Sequence, residues 1–144
     1  MVDVGFHATY QCSTAVCQEL KQRYPLKEKV SLEKTLEFKY LLVVDGNTWP
    51  NRIQQYIETN SVVLYNGIFE DWFLGQLKPW VHYIPVRVDL ADLEEKLEWL
   101  QAHDEEAKRI SKNARMFARG YNDIAQIKCY LGLLFVEYAR LYDA

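Results

Sequence analysis

The chain has 144 residues, 49% of them hydrophobic and 14% aromatic, which suffices for one domain with a sizeable core. A formal net charge of -3 gives no general affinity for nucleic acid, so no nucleic-acid partner is expected. No run of about 18 apolar residues marks a membrane span, and Met1-Val2-Asp3-Val4-Gly5-Phe6 lacks the basic and apolar regions of a secretory leader. The chain by itself reads as a soluble domain, which says nothing of how a longer parent would be targeted.

In chain order, Ser13 through Tyr24 has a short helical pattern with Ser13 as its cap, stopped by Pro25. A second short helix is predicted from Ser31 to about Phe38. Tyr40-Leu41-Leu42-Val43-Val44 is a continuous apolar run, the mark of a buried strand. Asp45-Gly46-Asn47-Thr48 breaks it, and a helix is predicted from about Pro50 to Glu58, because proline suits a first helical turn. Ser61-Val62-Val63-Leu64-Tyr65 comes next as a strand, completing a βαβ unit. After an aromatic stretch from Phe69 to Trp80, Val81 to Val86 reads as a third strand, with Pro85 at its end or at a bulge.

The rest is helical. Leu93, Leu97 and Leu100 fall at i, i+4, i+7 behind Asp89 or Asp92 as cap. Ala107, Ile110, Ala114 and Phe117 mark a second helix, with Gly120 as its stop. Asp123 caps a last helix whose stripe includes Ile127, Leu131, Leu134 and Tyr138. No repeat or linker divides the chain, so residues 1–144 are predicted to form a single α/β domain.

Three cysteines, Cys12, Cys17 and Cys129, leave at least one thiol unpaired within the chain. Cys12 and Cys17 are five apart, a spacing that turns them away from each other on a helix, so a local disulfide is not assured. His7, His82 and His103 are scattered, and no Cys/His set has metal-ligand spacing, so no metal site is expected.

The chemistry concentrates in the βαβ unit. Open α/β sheets bind ligands beyond the carboxyl ends of their strands. A helix start there favours phosphate. Arg52 adds a permanently charged, bidentate donor, and Asn47 and Thr48 add hydrogen bonds. A diphosphate fits this arrangement. The spacing alone favours the plainer reading that Gly46 makes a turn, Arg52 covers a helix face and Trp49 packs. Trp72, Phe73, Trp80 and Tyr83 read as core rather than as a sugar-stacking platform.

Longer strings narrow the choice. Lys39-Tyr40-Leu41-Leu42-Val43-Val44-Asp45-Gly46-Asn47-Thr48-Trp49-Pro50-Asn51-Arg52 resembles the KYLL-x-x-DGN-x-W-S-x-R segment of the capsule-associated glycosyltransferases (glycosyltransferase family 90), which include the protein O-glucosyltransferases. Asn60 to Leu64 resembles the next strand in that family. Leu77-Lys78-Pro79-Trp80-Val81-His82-Tyr83-Ile84-Pro85-Val86 resembles its L-x-PW-x-HYVPV string, and Leu90 to Ala107 and Cys129 to Leu141 resemble its C-terminal stretches. The resemblance covers nearly the whole chain, and its DGN-x-W version is similar to the fungal branch.

The resemblance implies the Rossmann-like C-terminal half of a two-domain GT-B glycosyltransferase, with a short parallel sheet and three C-terminal helices. It implies transfer of glucose or xylose from a UDP-sugar to a protein or polysaccharide acceptor, in the secretory pathway and without a metal or other cofactor. Carried over residue by residue, it puts Asn47, Thr48, Trp49, Asn51, Arg52 and Ser61 at the donor, with Gly46, Asp71 and His82 as weaker candidates. Arg52 would neutralise charge growing on the leaving UDP. Two positions depart from the pattern: Pro50 replaces a serine, and Asp71 stands where a glutamate is usual. The resemblance places the catalytic base and most of the acceptor site in an N-terminal half that this chain does not include, along with a cysteine partner for Cys129, so no catalytic residue is expected here. As a buried apolar thiol, Cys129 is equally accounted for. The alternative is an inactive nucleotide-binding or interaction module left by truncation.

Overall fold

The computed structural model describes residues 12–121 and 123–142, together with Gly5 and Ala8. It divides into two compact units, Met1–Thr35 and Leu36–Ala144.

In the first unit, helix α1 (Thr14–Arg23) starts where expected. The Ser13 side chain accepts a hydrogen bond from the Val16 N–H, and Lys21 and Arg23 lie in the last turn, where cations favour the helix dipole. Cys12 and Cys17 form a disulfide with 5.6 Å between their Cα atoms. Helical spacing does not govern this pair, because Cys12 precedes the helix and the extended backbone of Ser13 (φ -60°, ψ 155°) brings it back alongside. Helix α2 (Leu32–Thr35) is a single turn, started by a Lys34 N–H bond to Ser31 Oγ. It is shorter than the predicted helix from Ser31 to about Phe38, giving way to a turn at Leu36 and Glu37. Ser61 Oγ donates to the Phe38 carbonyl at 2.7 Å and the Val62 N–H donates to the Lys39 carbonyl at 2.9 Å.

The second unit is built on an open three-stranded sheet, order β1-β2-β3, all parallel: β1 (Tyr40–Val44), β2 (Val62–Asn66) and β3 (Ile84–Pro85). The register pairs Tyr40 with Val62 and Val44 with Asn66. Every residue of β2 is buried, as a central parallel strand covered on both faces requires. Alternation along it divides the core in two. Val63 and Tyr65 join Val43, Phe73 and the α3 residues Ile53 and Ile57, where α3 is Arg52–Tyr56 and Ile57 its C-cap. Val62 and Leu64 join Ile84, Leu100, Ala107 and Ile110 on the other face.

β3 is shorter than the predicted Val81–Val86. Trp80 has a left-handed backbone (φ 62°), and the Val81 and His82 amides turn back onto the Lys78 carbonyl, so the chain coils until Tyr83. Pro85 has no N–H, but the ladder passes it, since the Val86 N–H still donates to the Tyr65 carbonyl at 2.8 Å. Phe73 is core as expected and Tyr83 is half-buried, but Trp72 and Trp80 are exposed.

Helices α4 (Leu93–Ala102) and α5 (Asp104–Tyr121) cover the sheet. Asp92 occupies the N-cap of α4 without a capping bond. Its carboxylate instead accepts from the Arg87 N–H and pairs with Lys96, whose ammonium also holds the Pro85 carbonyl. Gly120 does not stop α5. The described glycines have no positive φ, and the helix runs on through Tyr121, whose ring packs on Phe73, Phe117 and Trp72. Helix α6 (Ile124–Tyr142) is started by Asp123 Oδ1 accepting the Ala125 N–H, and no described residue of it is buried. Cys129 on α6 is a free, exposed thiol, not a buried one.

Candidate functional site

The parallel sheet presents the carboxyl ends of its strands along one edge, and the loops leaving β1 and β2 both lie there. The first is fastened at its root. The Asp45 N–H extends the ladder to the Asn66 carbonyl, and the Gly46 N–H closes a tight turn on the Thr48 carbonyl at 3.1 Å. Pro50 is buried, which anchors the loop's middle. Around it Gly46, Asn47, Thr48, Trp49, Asn51 and Arg52 are exposed together on one short stretch. Arg52 has no carboxylate partner among the described residues.

The helix after this loop is shorter than the predicted Pro50–Glu58. The Ile53 and Gln54 amides bond to the Pro50 and Asn51 carbonyls in tight i→i−3 fashion, and Thr59 closes the other end on the Tyr56 carbonyl. Asn51 sits at the N-cap but makes no side-chain capping bond. Five residues with their first amides already bonded carry little of the dipole field a longer helix offers. Attraction for an anion at this edge therefore rests on the Arg52 guanidinium and on side-chain donors.

The two loops are held together by a residue that sequence reasoning did not single out. Asp45 Oδ2 accepts the Ile68 N–H at 2.6 Å and the Phe69 N–H at 3.1 Å, so the carboxylate leaving β1 shapes the loop leaving β2. Its other oxygen is buried without a hydrogen-bond partner among the described residues. Tyr65 donates its hydroxyl to the Phe69 carbonyl at 2.9 Å, and burial, then the neighbouring Asp45 charge, pushes that phenol up to about 12. Gly67 lies over both groups: a Cβ there would stand 2.3 Å from the Tyr65 hydroxyl and 2.5 Å from Asp45 Oδ1. Gly67→Ala is therefore expected to cost about 1–3 kcal/mol, the range for overpacking a filled site, read as a lower urea midpoint. An unchanged midpoint would show that the contact is not tight in solution. The one local hint of Asp45's role was a carboxylate placed directly after five apolar strand residues.

The remaining candidates lie elsewhere. Ser61 precedes β2, at the amino end of the sheet, and its buried hydroxyl is committed to Phe38. Five strand residues at about 3.3 Å each put it on the order of 16 Å from the Gly46–Arg52 loop. Asp71 comes after the β2 loop, beyond the carboxyl end of β2, where its carboxylate accepts its neighbour Trp72's N–H. The Tyr121 hydroxyl, buried without a partner among the described residues, is held protonated well above the usual phenol range by burial and by the Asp71 charge. A cavity of about 180 Å³ opens beside this loop between Tyr65, Gly67, Phe69, Glu70 and Tyr83; none of the residues proposed for the donor lines it.

His82 is engaged in structure. Its Nδ1 accepts the Lys78 N–H at 2.9 Å, which puts the ring proton on Nε2, and the ring packs on Phe117. Burial, then Lys78, lowers its pKa below the ordinary 6.5. The folded state thus binds this proton less readily than the unfolded chain. Its contribution to stability is full above pH 6.5 and is lost as pH falls through the lowered value. His82→Asn keeps an acceptor at the Nδ1 position, so its urea midpoint should fall less between pH 7.5 and 5.5 than that of the unmodified chain. Equal falls would remove His82 as a source of the pH dependence.

No group of three or more His, Cys, Asp or Glu among the described residues is placed to hold a metal; His7 lies outside those residues. No helix among them is long and apolar enough to cross a membrane.

Comparison with known proteins gives this edge its context. The profile of Glycosyl transferase family 90 matches residues 3–144. The chain belongs to glycosyl transferase family 90. Among its curated relatives, protein O-glucosyltransferase 2 of Danio rerio is 41% identical over 118 residues, covering 81% of this chain and 24% of that protein. Protein O-glucosyltransferase 1 of Homo sapiens is 34% identical over 119 residues, 81% of this chain and 30% of that protein. Protein O-glucosyltransferase 3 of Rattus norvegicus is 35% identical over 105 residues, 72% of this chain and 21% of that protein. This family-90 chain thus spans between about a fifth and a third of the length of these relatives.

Proposed function

We propose that the Gly46–Arg52 loop of this family-90 chain holds the diphosphate of a UDP-sugar, so that the chain supplies the donor side of a glycosyltransferase. The observation that carries the reading is the exposed Arg52, without a carboxylate partner among the described residues, beside Asn47, Thr48 and Asn51 at the carboxyl edge of a parallel sheet. In the reaction an acceptor oxygen attacks the anomeric carbon and the bond from that carbon to the UDP oxygen breaks. Negative charge then grows on the departing diphosphate, where a guanidinium stabilises it most. The names of the relatives favour glucose as the sugar and a protein as the acceptor, with xylose and a glycan as the other members of the same class.

In this reading the fold is the Rossmann-like half of a GT-B enzyme working in the secretory pathway, without a cofactor. The base that takes the acceptor proton, and most of the acceptor site, belong to a second domain in the same or a separate chain. The segment alone binds the donor and does not turn it over. Nuclear magnetic resonance tests the location. UDP-glucose should shift backbone amides of residues 46–52 first and most. Shifts centred elsewhere, or none, would move the site or remove it.

A further inference from the structure

The cavity beside the β2 loop takes no part in holding a diphosphate. Tyr65, Phe69, Glu70, Gly75 and Tyr83 are among its walls, and its volume is about 180 Å³. Pockets for drug-sized ligands run to roughly 300–1,000 Å³. This one has room for a single ring with its substituents, not for a nucleoside diphosphate. Two contacts tie it to the Gly46–Arg52 loop. The Ile68 and Phe69 amides at its rim are held by Asp45, the residue directly before Gly46. Tyr65 packs in the same cluster as Ile53 and Ile57, so the cavity and α3 share one face of the sheet.

The lining selects the chemistry of an occupant. Of its three polar side chains, two can only accept hydrogen bonds. The Tyr65 hydroxyl spends its hydrogen on the Phe69 carbonyl at 2.9 Å and offers the cavity only lone pairs. The Glu70 carboxylate is exposed and has no ion-pair partner among the described residues. Asp45 Oδ1 stands against Gly67, where an added Cβ would lie 2.5 Å from it, and brings a second negative charge close by. Such a lining repels phosphate and has little to give the carbonyls of a pyrimidine. It suits a neutral ring that brings several O–H donors. The Tyr65 and Tyr83 rings, set edge to face with centroids 5.7 Å apart, supply an apolar wall for the C–H side of such a ring.

We infer that this cavity receives the sugar ring of the donor, with Glu70 accepting its hydroxyl hydrogens, an inference that rests on the diphosphate reading of the Gly46–Arg52 loop. The test is calorimetric titration of UDP and of UDP-glucose, separately, into the whole chain and two variants. Glu70→Gln removes the charged acceptor at an exposed position. Gly75→Leu fills the cavity. A Cβ at Gly75 meets nothing within 4 Å and its φ is not positive, so the fold has room for a side chain there. In both variants UDP-glucose affinity should fall roughly 10-fold or more, the contribution of one hydrogen bond to a charged group. UDP affinity and the urea midpoint should stay those of the parent. If Gly75→Leu lowers the midpoint, Glu70→Gln decides alone. A parent that binds both nucleotides, with UDP-glucose affinity unchanged in the stable variants or lost in step with UDP affinity, would overturn the sugar site and leave the diphosphate reading standing. A parent that binds neither would overturn both.

Discussion

Asp45→Ala is expected to lower the unfolding free energy by roughly 3–4 kcal/mol and to weaken UDP binding with it. Two amides, of Ile68 and Phe69, bond to one carboxylate oxygen at 2.6 and 3.1 Å. Bonds to a charged group contribute about 1.5–3 kcal/mol each, and partial exposure of these amides to water keeps the sum toward the lower end. A domain of this size has only about 5–15 kcal/mol in total, so the loss is a large fraction of it. Asp45→Asn separates acceptor from charge. Its carbonyl still accepts from the loop, and its amide faces the Tyr65 hydroxyl where Oδ1 stood, so most of the stability should remain. A urea titration checks both variants. An alanine variant within about 0.5 kcal/mol of the parent, the scatter of ordinary surface changes, would mean that the clamp between the loops contributes nothing.

Arg52→Ala is expected to do the opposite: leave unfolding unchanged and cut UDP affinity by about 1.5–3 kcal/mol, roughly 10- to 150-fold, the contribution of a charged hydrogen bond. Its guanidinium is exposed and makes no ion pair among the described residues, so the fold loses nothing when it goes. Arg52→Lys keeps the charge but not the planar two-pronged donor, and should recover only part of the affinity.

The pair of variants also marks how far the sequence was legible. β1 could be read because a central parallel sheet demands an unbroken apolar run, and Tyr40–Val44 is one. β3 was overestimated because alternation from Val81 cannot reveal that Trp80 takes a left-handed backbone and coils the next residues. A one-residue matter decided the disulfide: Cys12 lies just outside α1, where helical spacing no longer applies. The exposed position of Arg52 was legible from its place after a strand and turn. Asp45 was not, because its partners lie 23 and 24 residues away and belong to the next strand's loop. On α6 the stripe Ile127, Leu131, Leu134 and Tyr138 was visible as periodicity, but periodicity identifies an apolar face without saying what covers it.

The most direct measurement of the central claim is calorimetric titration of UDP into the purified chain, with Arg52→Ala beside it. The expected result is saturable binding by the parent that weakens roughly 10- to 150-fold in the variant, with both chains equally stable. A folded parent that takes up no UDP, or one whose binding is indifferent to Arg52, would contradict a donor site at the carboxyl edge of this sheet.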